Sequence, residues 1–499
     1  MGLTAFMPID PRTPVLVGAG QLRQKVEPAD ALEPVDMIAE AARAAADDAG
    51  APALLGAVDS VRIVSLLSWR YADPGAEVAT RIGASPRQTA VTPMGGNSPQ
   101  TLVNKTAIAI AAGQLDVVLL GGAEAWRTRR WYGKQDLKPD WTPLDESASH
   151  AVVLGEELTM TNPSEASHGI TMPVQLYPVF ETAIRAAAGR SVDDHLVVIS
   201  ELWARFSEVA AGNPYAWIQE AKSAEQIRTA SADNRMVGFP YTKQMNSNND
   251  VDQAAALILC SVEAARRFGV PEDRWVFPLA GTDAHDTPYV SNRQDLHSSP
   301  AIRAAGRRVL ELADVGIDDV AHFDLYSCFP SAVEVAAAEL GLALDRQLTV
   351  TGGLTFAGGP WNDYVTHGIA TMAGVVRDDP GSIGLCSANG GYLTKHAMGL
   401  YSTTPPAGGF RWDDVQDEVD DATSRRELAD DHAGAATIES YTVMHDRDGS
   451  MGNAIVACLT PDGRRTWATS TDGEVMKAMT SDDLVGRAAT LHGGTLDLA

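Results

Sequence analysis

Residues 92–126 constrain the fold of this chain more than any other stretch. They begin with a glycine-rich turn, continue into a predicted helix of small residues at 98–112, and end in the apolar strand 116–120. Neighbouring elements can pack closely against small residues, and a strand that is apolar without alternation is buried on both faces. Because the strand 58–66 precedes this stretch, the β-α-β order predicts a layered α/β fold.

The second half of the chain repeats this order of elements. Another glycine-rich turn, which contains Gly359, precedes a helix that is predicted after Pro360 and that leads to the apolar strand 382–386. Gly96 and Gly359 therefore have equivalent places, because each opens a helix in front of a central strand. The repeat predicts two similar α/β halves.

The first half resembles the thiolase superfamily. In thiolases a nucleophilic cysteine opens the buried helix, and about seventeen residues later a glycine precedes a strand that ends in Gly-Gly-x-Glu. Here Gly113 and the motif Gly121-Gly122-Ala123-Glu124 match the later part of this pattern. Gly96 then stands at the position of the nucleophile. The resemblance implies a thiolase scaffold without its acylated cysteine.

The second half resembles thiolases at three further motifs. Residues 352–360 are similar to Gly-Gly-x-x-x-x-Gly-His-Pro, with Gly359 in place of the histidine that helps to form an oxyanion site. Residues 325–329 are similar to the His-Asp-Cys-Phe loop of sterol-carrier-protein thiolases, whose cysteine corresponds to Cys328. Residues 385–391 lie where thiolases carry Cys-x-Gly, and either Cys386 or Ser387 occupies that cysteine position.

The resemblance covers about residues 12–402 and implies the duplicated thiolase fold, with five layers in the order α-β-α-β-α. We expect the N-terminal half at 12–265 and the C-terminal half at 266–402. Residues from about 126 to 245 are polar and aromatic, and they resemble the loop domain that covers the thiolase active site.

The remaining residues predict an acidic linker and a small β domain. Residues 403–433 combine a Pro-Pro-Ala-Gly-Gly segment with many carboxylates, which is typical of a linker. Residues 434–499 contain short strands separated by turns, which predicts a small barrel. This domain resembles the OB-fold proteins that accompany thiolase-like enzymes. With it, the chain resembles thiolase-like protein type 1, a class commonly labelled acetyl-CoA acetyltransferase.

Composition and charge exclude several classes of protein. The chain has 499 residues and a formal charge of −26, which disfavours general binding to nucleic acid or to anionic membranes. Its four cysteines lie far apart, so neither a metal site nor a disulfide framework is expected. The first residues lack a secretion signal, and the most apolar stretch is too short to span a bilayer. We therefore expect a cytoplasmic protein without a covalently bound cofactor.

Two residues are candidates for catalysis. His367 follows Pro360 by about two helical turns, and Tyr364 lies three residues before it on the same predicted helix face. A structural histidine is the alternative. Cys328 corresponds to a cysteine that accompanies the thiolase active site, although a single cysteine also serves as a small apolar filler.

We expect coenzyme A (CoA) or an acyl-CoA as the ligand. Helix N-termini near Gly96 and Gly359 can present N–H groups to a thioester carbonyl or an anion. An Arg-rich cluster interleaved with tryptophans suits the phosphates and adenine of CoA, and a solvated surface loop is the alternative. The residues expected to contact the ligand are Gly96, Asn97, Arg127, Arg129, Arg130, Gly359, Asn389 and Gly390.

Three functions remain open. The first is an acyl-CoA-binding protein of lipid metabolism without ordinary thiolase activity, because two of the family's chemical groups are absent. The others are a retro-aldol lyase acting on an acyl-CoA and an acyltransferase that uses non-standard residues.

The oligomeric state follows from the strand before the nucleophile turn. Thiolase dimers pair this strand across their two-fold axis, and here Pro93 interrupts it. We therefore expect a monomer or a weak homodimer.

Overall fold

A computed structural model describes residues 9–145 and 151–498. Its strands are β1 (Pro14–Arg23), β2 (Ser60–Ile63), β3 (Gln88–Val91), β4 (Val117–Ala125), β5 (Val152–Val153), β6 (Met236–Gly238), β7 (Tyr241–Thr242), β8 (Asp252–Ser261), β9 (Phe277–His285), β10 (His322–Asp324), β11 (Ile383–Gly390), β12 (Lys395–Ser402), β13 (Arg411–Asp414), β14 (Gly434–His445), β15 (Met451–Leu459), β16 (Arg465–Ser470), β17 (Ala488–His492) and β18 (Thr495–Leu498).

Its α-helices are α1 (Pro34–Asp48), α2 (Pro74–Ile82), α3 (Ser98–Ala111), α4 (Trp126–Lys134), α5 (Pro163–Ser167), α6 (Pro173–Ala187), α7 (Val192–Gly212), α8 (Ala224–Arg228), α9 (Val262–Arg267), α10 (Pro300–Ala313), α11 (Pro330–Leu340), α12 (Gly353–Phe356), α13 (Tyr364–Asp378), α14 (Gln416–Ala422) and α15 (Gly473–Ser481). Short 3₁₀ segments lie at Pro28–Asp30, Pro52–Ala57, Lys243–Met245, Glu272–Arg274, Val290–Asn292, Ile317–Asp319 and Trp361–Asp363.

Two sheets and three helix layers form the body of the molecule. The first sheet has the strand order β1-β8-β4-β2-β3-β5, and the second has the order β10-β11-β12-β9-β13. Helices α3 and α13 lie between the sheets and touch both of them, while α1 packs on the outer side of the first sheet and α10 on the second. Strands β4, β8, β11 and β12 are buried almost throughout, as expected for strands covered on both faces. The predicted layered, duplicated α/β fold is confirmed.

The C-terminal strands form a closed barrel. Five strands pair in the order β14-β15-β16-β18-β17, and β17 returns to β14. The side chain of Arg465 is fully buried and donates to both Glu439 carboxylate oxygens at 2.6 Å. The same guanidinium donates to the carbonyl oxygens of Ser291 at 3.1 Å and Arg293 at 2.6 Å. Arg465 therefore fastens the barrel to the body.

The acidic segment 403–433 is more ordered than a linker. Strand β13 pairs in parallel with β9 and extends the second sheet. Helix α14 follows directly. The carboxylates of Asp413 and Glu418 form ion pairs with Arg308 and Arg307 of α10, at 2.6 and 2.5 Å. The prediction missed these contacts because the arginines lie about a hundred residues away in the sequence.

The edge of the first sheet is covered by the chain itself. Strand β3 ends at Val91, two residues before Pro93, and β5 pairs with it in parallel. The N–H of Leu154 also donates to the Val91 carbonyl oxygen at 2.8 Å. A second chain could not pair with β3 here unless β5 moved away.

Across residues 9–145 and 151–498, no helix is both long and apolar enough to cross a membrane.

Candidate ligand-binding site

A cavity of about 590 Å³ lies at the N-termini of α3 and α6, where the two halves of the body meet. Its walls are mostly apolar, and several asparagine, serine and threonine residues also line it. Apolar walls are provided by Leu67, Met160, Met172, Val174, Phe329, Leu354 and Trp361, and polar groups by Asn246, Ser247, Asn249, Asn362 and Asn389. Such a cavity suits a ligand with a large apolar part and a few polar atoms.

The turn before α3 is fixed by Asn362 from the second half. The N–H of Gly95 donates to Asn362 Oδ1 at 3.1 Å, and Asn362 Nδ2 donates to the Ser65 carbonyl oxygen at 2.9 Å. The side chain of Asn97, which precedes α3, makes no capping hydrogen bond. The first N–H groups of α3 therefore receive no acceptor from that side chain.

Gly96 lines the cavity, and the side chain of Tyr326 fills the space next to it. A Cβ atom at position 96 would lie 2.5 Å from the Asn389 carbonyl oxygen, 2.8 Å from Tyr326 Cζ, and closer still to the Tyr326 hydroxyl. Since Cβ atoms in proteins essentially never come within 3.0 Å of such atoms, a side chain fits there only if Tyr326 and the backbone at Asn389 shift. Sequence reasoning missed Tyr326, although it stands directly before Ser327 in the 325–329 motif.

Cys328 lies in the cavity wall but is poorly suited to nucleophilic attack. Its residue is buried, and Asn389 Nδ2 lies 4.0 Å from Sγ. Burial raises the pKa of this thiol to about 12, so it is protonated near neutral pH. Because the thiolate is the reactive form, Cys328 acts as a wall residue in this state.

The structure does not bring His367 to the cavity. Its Nδ1 lies 2.8 Å from Gln21 Oε1 of β1, and its Nε2 lies 3.8 Å from Asp363 Oδ2. Burial lowers the pKa of His367 to about 3, so the ring is neutral. The Tyr364 hydroxyl instead contacts Thr351 at 2.6 Å. Tyr364 and His367 do not form the predicted pair, because His367 reaches Gln21 of β1 while Tyr364 reaches Thr351 in the loop before α12.

The five residues expected to contact the ligand outside the arginine cluster lie in three different places. Gly96, Asn389 and Gly390 line the cavity together. Asn97 instead lines a smaller polar cavity of about 320 Å³ on the other side of the turn. Gly359 packs against the loop 247–249, and a Cβ atom added at position 359 would lie 2.8 Å from Asn249 Oδ1. The Gly359 N–H donates to the Asn248 carbonyl oxygen at 2.9 Å.

The arginine cluster does not line the cavity either, because each guanidinium has a partner in the body. Arg127 donates to the Val26 carbonyl oxygen at 2.9 Å, and Arg129 donates to the Ser68 carbonyl oxygen at 2.6 Å. Arg130 is half-exposed and forms an ion pair with an aspartate at 3.3 Å. These contacts hold α4 against the loops that follow β1 and β2, and Arg129 and Arg130 remain exposed at the surface.

Three buried side chains outside the cavity resemble a metal site in composition: Glu181, His195 and Glu334. However, Arg190 Nη1 lies 3.3 Å from His195 Nδ1, which makes Nδ1 the acceptor and leaves the proton on Nε2. That Nε2 lies 2.5 Å from a Glu181 carboxylate oxygen. A metal on Nε2 would force a proton onto Nδ1, facing the guanidinium, so the arrangement favours a hydrogen-bonded network.

The chain is similar to known proteins in its C-terminal barrel and over its whole length. The chain matches the family model "Thiolase-like protein type 1 additional C-terminal domain" over residues 414–494. Its structure is similar to a crystal structure of a monomeric SCP2-thiolase-like protein type 1 from Mycobacterium smegmatis, with 34% sequence identity and a TM-score of 0.85. That match covers 99% of this chain and 100% of the other.

Two more distant matches share part of the molecule. An Ltp2-ChsH2(DUF35) aldolase has a similar fold, with 18% identity and a TM-score of 0.58 over 79% of this chain and 98% of that chain. An acetyl-CoA acetyltransferase from Methanocaldococcus jannaschii is 28% identical over 235 residues, or 46% of this chain. The chain spans about half of that relative, 51% of its length.

Proposed function

Since the chain belongs to the family of SCP2-thiolase-like proteins of type 1, we propose that it binds acyl thioesters of CoA in lipid metabolism without catalysing ordinary thiolysis. One observation carries the proposal. The Tyr326 ring and hydroxyl take the space beside Gly96, while the apolar cavity in front of them stays open. A pocket for the acyl group is therefore retained, and the space for an acylated side chain is lost.

The chemistry of the cavity argues against an acyl-enzyme. Thiolysis needs a nucleophile that is ionised or has a base beside it. Burial raises the pKa of Cys328 to about 12 and holds the pKa of Tyr326 well above its usual value. Neither group is ionised near neutral pH. A non-standard acyltransferase mechanism therefore has little support in this cavity.

The shape and polarity of the cavity support binding of an acyl group. Its volume of about 590 Å³ falls within the range of small-molecule sites, about 300–1,000 Å³. The apolar walls suit the acyl chain, and the start of α3 offers N–H groups to a thioester carbonyl. We propose that the CoA moiety extends past Asn246 and Asn249, which line the cavity.

A retro-aldol lyase is the second candidate, because that reaction needs no acyl-enzyme. It still needs a base, and the titratable groups beside Gly96 argue against one. Burial holds Tyr326 and Cys328 in their protonated forms. The aldolase relative supports only a shared fold at 18% identity.

We propose further that the chain acts as a monomer. The M. smegmatis relative is described as monomeric, and β5 occupies the sheet edge beside β3. The four cysteines are free and buried, which suits the reducing cytoplasm that we propose as its location.

Calorimetric titration with acyl-CoAs of increasing chain length, together with a thiolysis assay on acetoacetyl-CoA, tests the proposal. We expect heats of binding that grow with chain length until the cavity is filled, and no turnover above the uncatalysed rate. Absence of binding at millimolar ligand would contradict the proposal. Turnover at the ordinary enzyme rate of about 10 per second would contradict it as well.

A further inference from the structure

We infer that the Tyr326 hydroxyl donates a hydrogen bond to a carbonyl oxygen of the ligand, and that the cavity therefore selects ligands with a carbonyl group next to an apolar chain. This inference rests on the proposed function and deepens it by naming the ligand group that the protein recognises. Tyr326, which otherwise only fills the place of the lost nucleophile, then determines which ligands bind.

The Tyr326 ring is held firmly. The Tyr326 N–H donates to Ser387 Oγ at 2.9 Å, and the Tyr326 and Tyr364 rings meet edge to face with their centroids 5.6 Å apart. Only 8% of the residue is exposed. The direction of its hydroxyl is therefore set by packing before any ligand arrives, as pre-organised recognition requires.

The hydroxyl of Tyr326 differs from those of the other buried tyrosines. Across residues 9–145 and 151–498 it has no hydrogen-bond partner, although it lies in a buried site. The hydroxyls of five comparable residues do have one: Tyr177, Tyr241, Tyr364, Tyr401 and Tyr441. The Tyr326 hydroxyl opens into the cavity, where a ligand acceptor can satisfy it.

The turn before α3 adds a second donor at the same place. Gly96 lies against the Tyr326 hydroxyl, and its N–H meets no acceptor in the described part of the chain. Helix α3 has 14 residues, so its N-terminus carries a partial positive charge. An oxygen atom in front of Gly96 could accept from both groups, and a carbonyl oxygen has the two lone pairs to do so.

The protonation state of Tyr326 decides which ligands fit. Burial, with a smaller contribution from Cys328, holds the pKa of Tyr326 well above its usual range. The phenol therefore keeps its proton and can donate throughout the physiological range. The apolar walls around it disfavour a carboxylate or phosphate at this depth. A neutral carbonyl attached to a hydrocarbon chain satisfies both conditions.

The test compares two pairs of ligands that differ in the carbonyl. Decanoyl-CoA carries a thioester carbonyl, and S-decyl-CoA is the thioether without it; 2-octanone and octane form a pair without CoA. The variants are Tyr326→Phe and, as a matched control, Tyr392→Phe. Tyr392 lines the same cavity, but its hydroxyl is already hydrogen-bonded to Thr161. Affinity is measured by calorimetry, and the carbonyl stretching frequency of bound ¹³C-labelled ligand by infrared spectroscopy.

We expect wild-type protein and Tyr392→Phe to prefer decanoyl-CoA over the thioether by about tenfold, the effect of one hydrogen bond. Tyr326→Phe should lose this preference, and the carbonyl frequency of its bound ligand should rise. Equal binding of thioester and thioether by the wild type, or an unchanged preference in Tyr326→Phe, would overturn the inference and leave the proposed function standing.

The pair 2-octanone and octane shows whether the inference about Tyr326 can hold when the proposed binding of acyl-CoA fails. If 2-octanone binds with a carbonyl shift that Tyr326→Phe removes, while no CoA compound binds, the inference stands and the proposed function fails. If neither decanoyl-CoA nor 2-octanone binds, both are overturned.

Discussion

Replacing Gly96 by alanine or cysteine tests whether the place of the nucleophile is truly filled. Both substitutions add a Cβ atom that would lie 2.5 Å from the Asn389 carbonyl oxygen and 2.8 Å from Tyr326 Cζ. Gly96 does not have a positive φ, so the cost comes from these contacts and not from the backbone. Overpacking of this kind costs about 1–3 kcal/mol. We therefore expect both variants to be destabilised by similar amounts, and Gly96→Cys to remain inactive in thiolysis.

Urea unfolding gives the free energy for this comparison, with Gly133→Ala as the control. A Cβ at position 133 of α4 would meet no atom within 4 Å, so that change should be neutral or stabilising by up to about 1 kcal/mol. A Gly96→Cys variant as stable as the wild type would refute the reasoning about Tyr326. So would an acyl group transferred from acetoacetyl-CoA to that cysteine, detected by mass spectrometry.

Three other predictions concern pH, the barrel and assembly. Burial and the neighbouring Glu181 hold the pKa of Glu334 well above its usual value. The free energy of unfolding of the wild type should therefore fall between pH 5 and 8 relative to that of Glu334→Gln. If urea unfolding gives the same pH dependence for both proteins, this prediction is contradicted. Arg465→Ala should lower the free energy of unfolding by about 3–5 kcal/mol because it leaves Glu439 unpaired. Arg464→Ala breaks an exposed pair and should lower it by less than about 1 kcal/mol. Equal losses of stability would contradict the anchoring role of Arg465. Light scattering should give a mass near 52.9 kDa at micromolar concentration, and a persistent dimer would contradict the covered sheet edge.

The fold could be predicted from the sequence because its signals are local. The small residues of α3 and the continuous apolar run of β4 specify buried elements without reference to distant parts of the chain. The same is true of the second-half strand β11 and of the barrel strands beside the Pro461-Asp462-Gly463 turn. Helix α15 between barrel strands was not predicted.

The site could be predicted only in part, because its contacts are long-range. Gly96, Asn389 and Gly390 were found through motifs, and they do meet at the cavity. Periodicity placed His367 and Tyr364 on one helix face, but it could not show that their partners are far apart in the chain, with Gln21 in β1 and Thr351 in the loop before α12.

The contacts of the arginine cluster could not be predicted for the same reason. The partners of its side chains are backbone carbonyls and aspartates that come from segments more than sixty residues away, such as Ser68 for Arg129 and Asp250 for Arg130. Local charge patterning contains no information about such partners. The Tyr326 hydroxyl was missed because its importance depends on its position next to Gly96.

A crystal structure with decanoyl-CoA tests the central claim most directly. The account predicts electron density for an intact thioester, with the decanoyl chain in the apolar cavity and the carbonyl oxygen within hydrogen-bond distance of the Tyr326 hydroxyl and the Gly96 N–H. Density for a decanoyl group attached to Cys328, or an empty cavity with the ligand bound elsewhere, would contradict it.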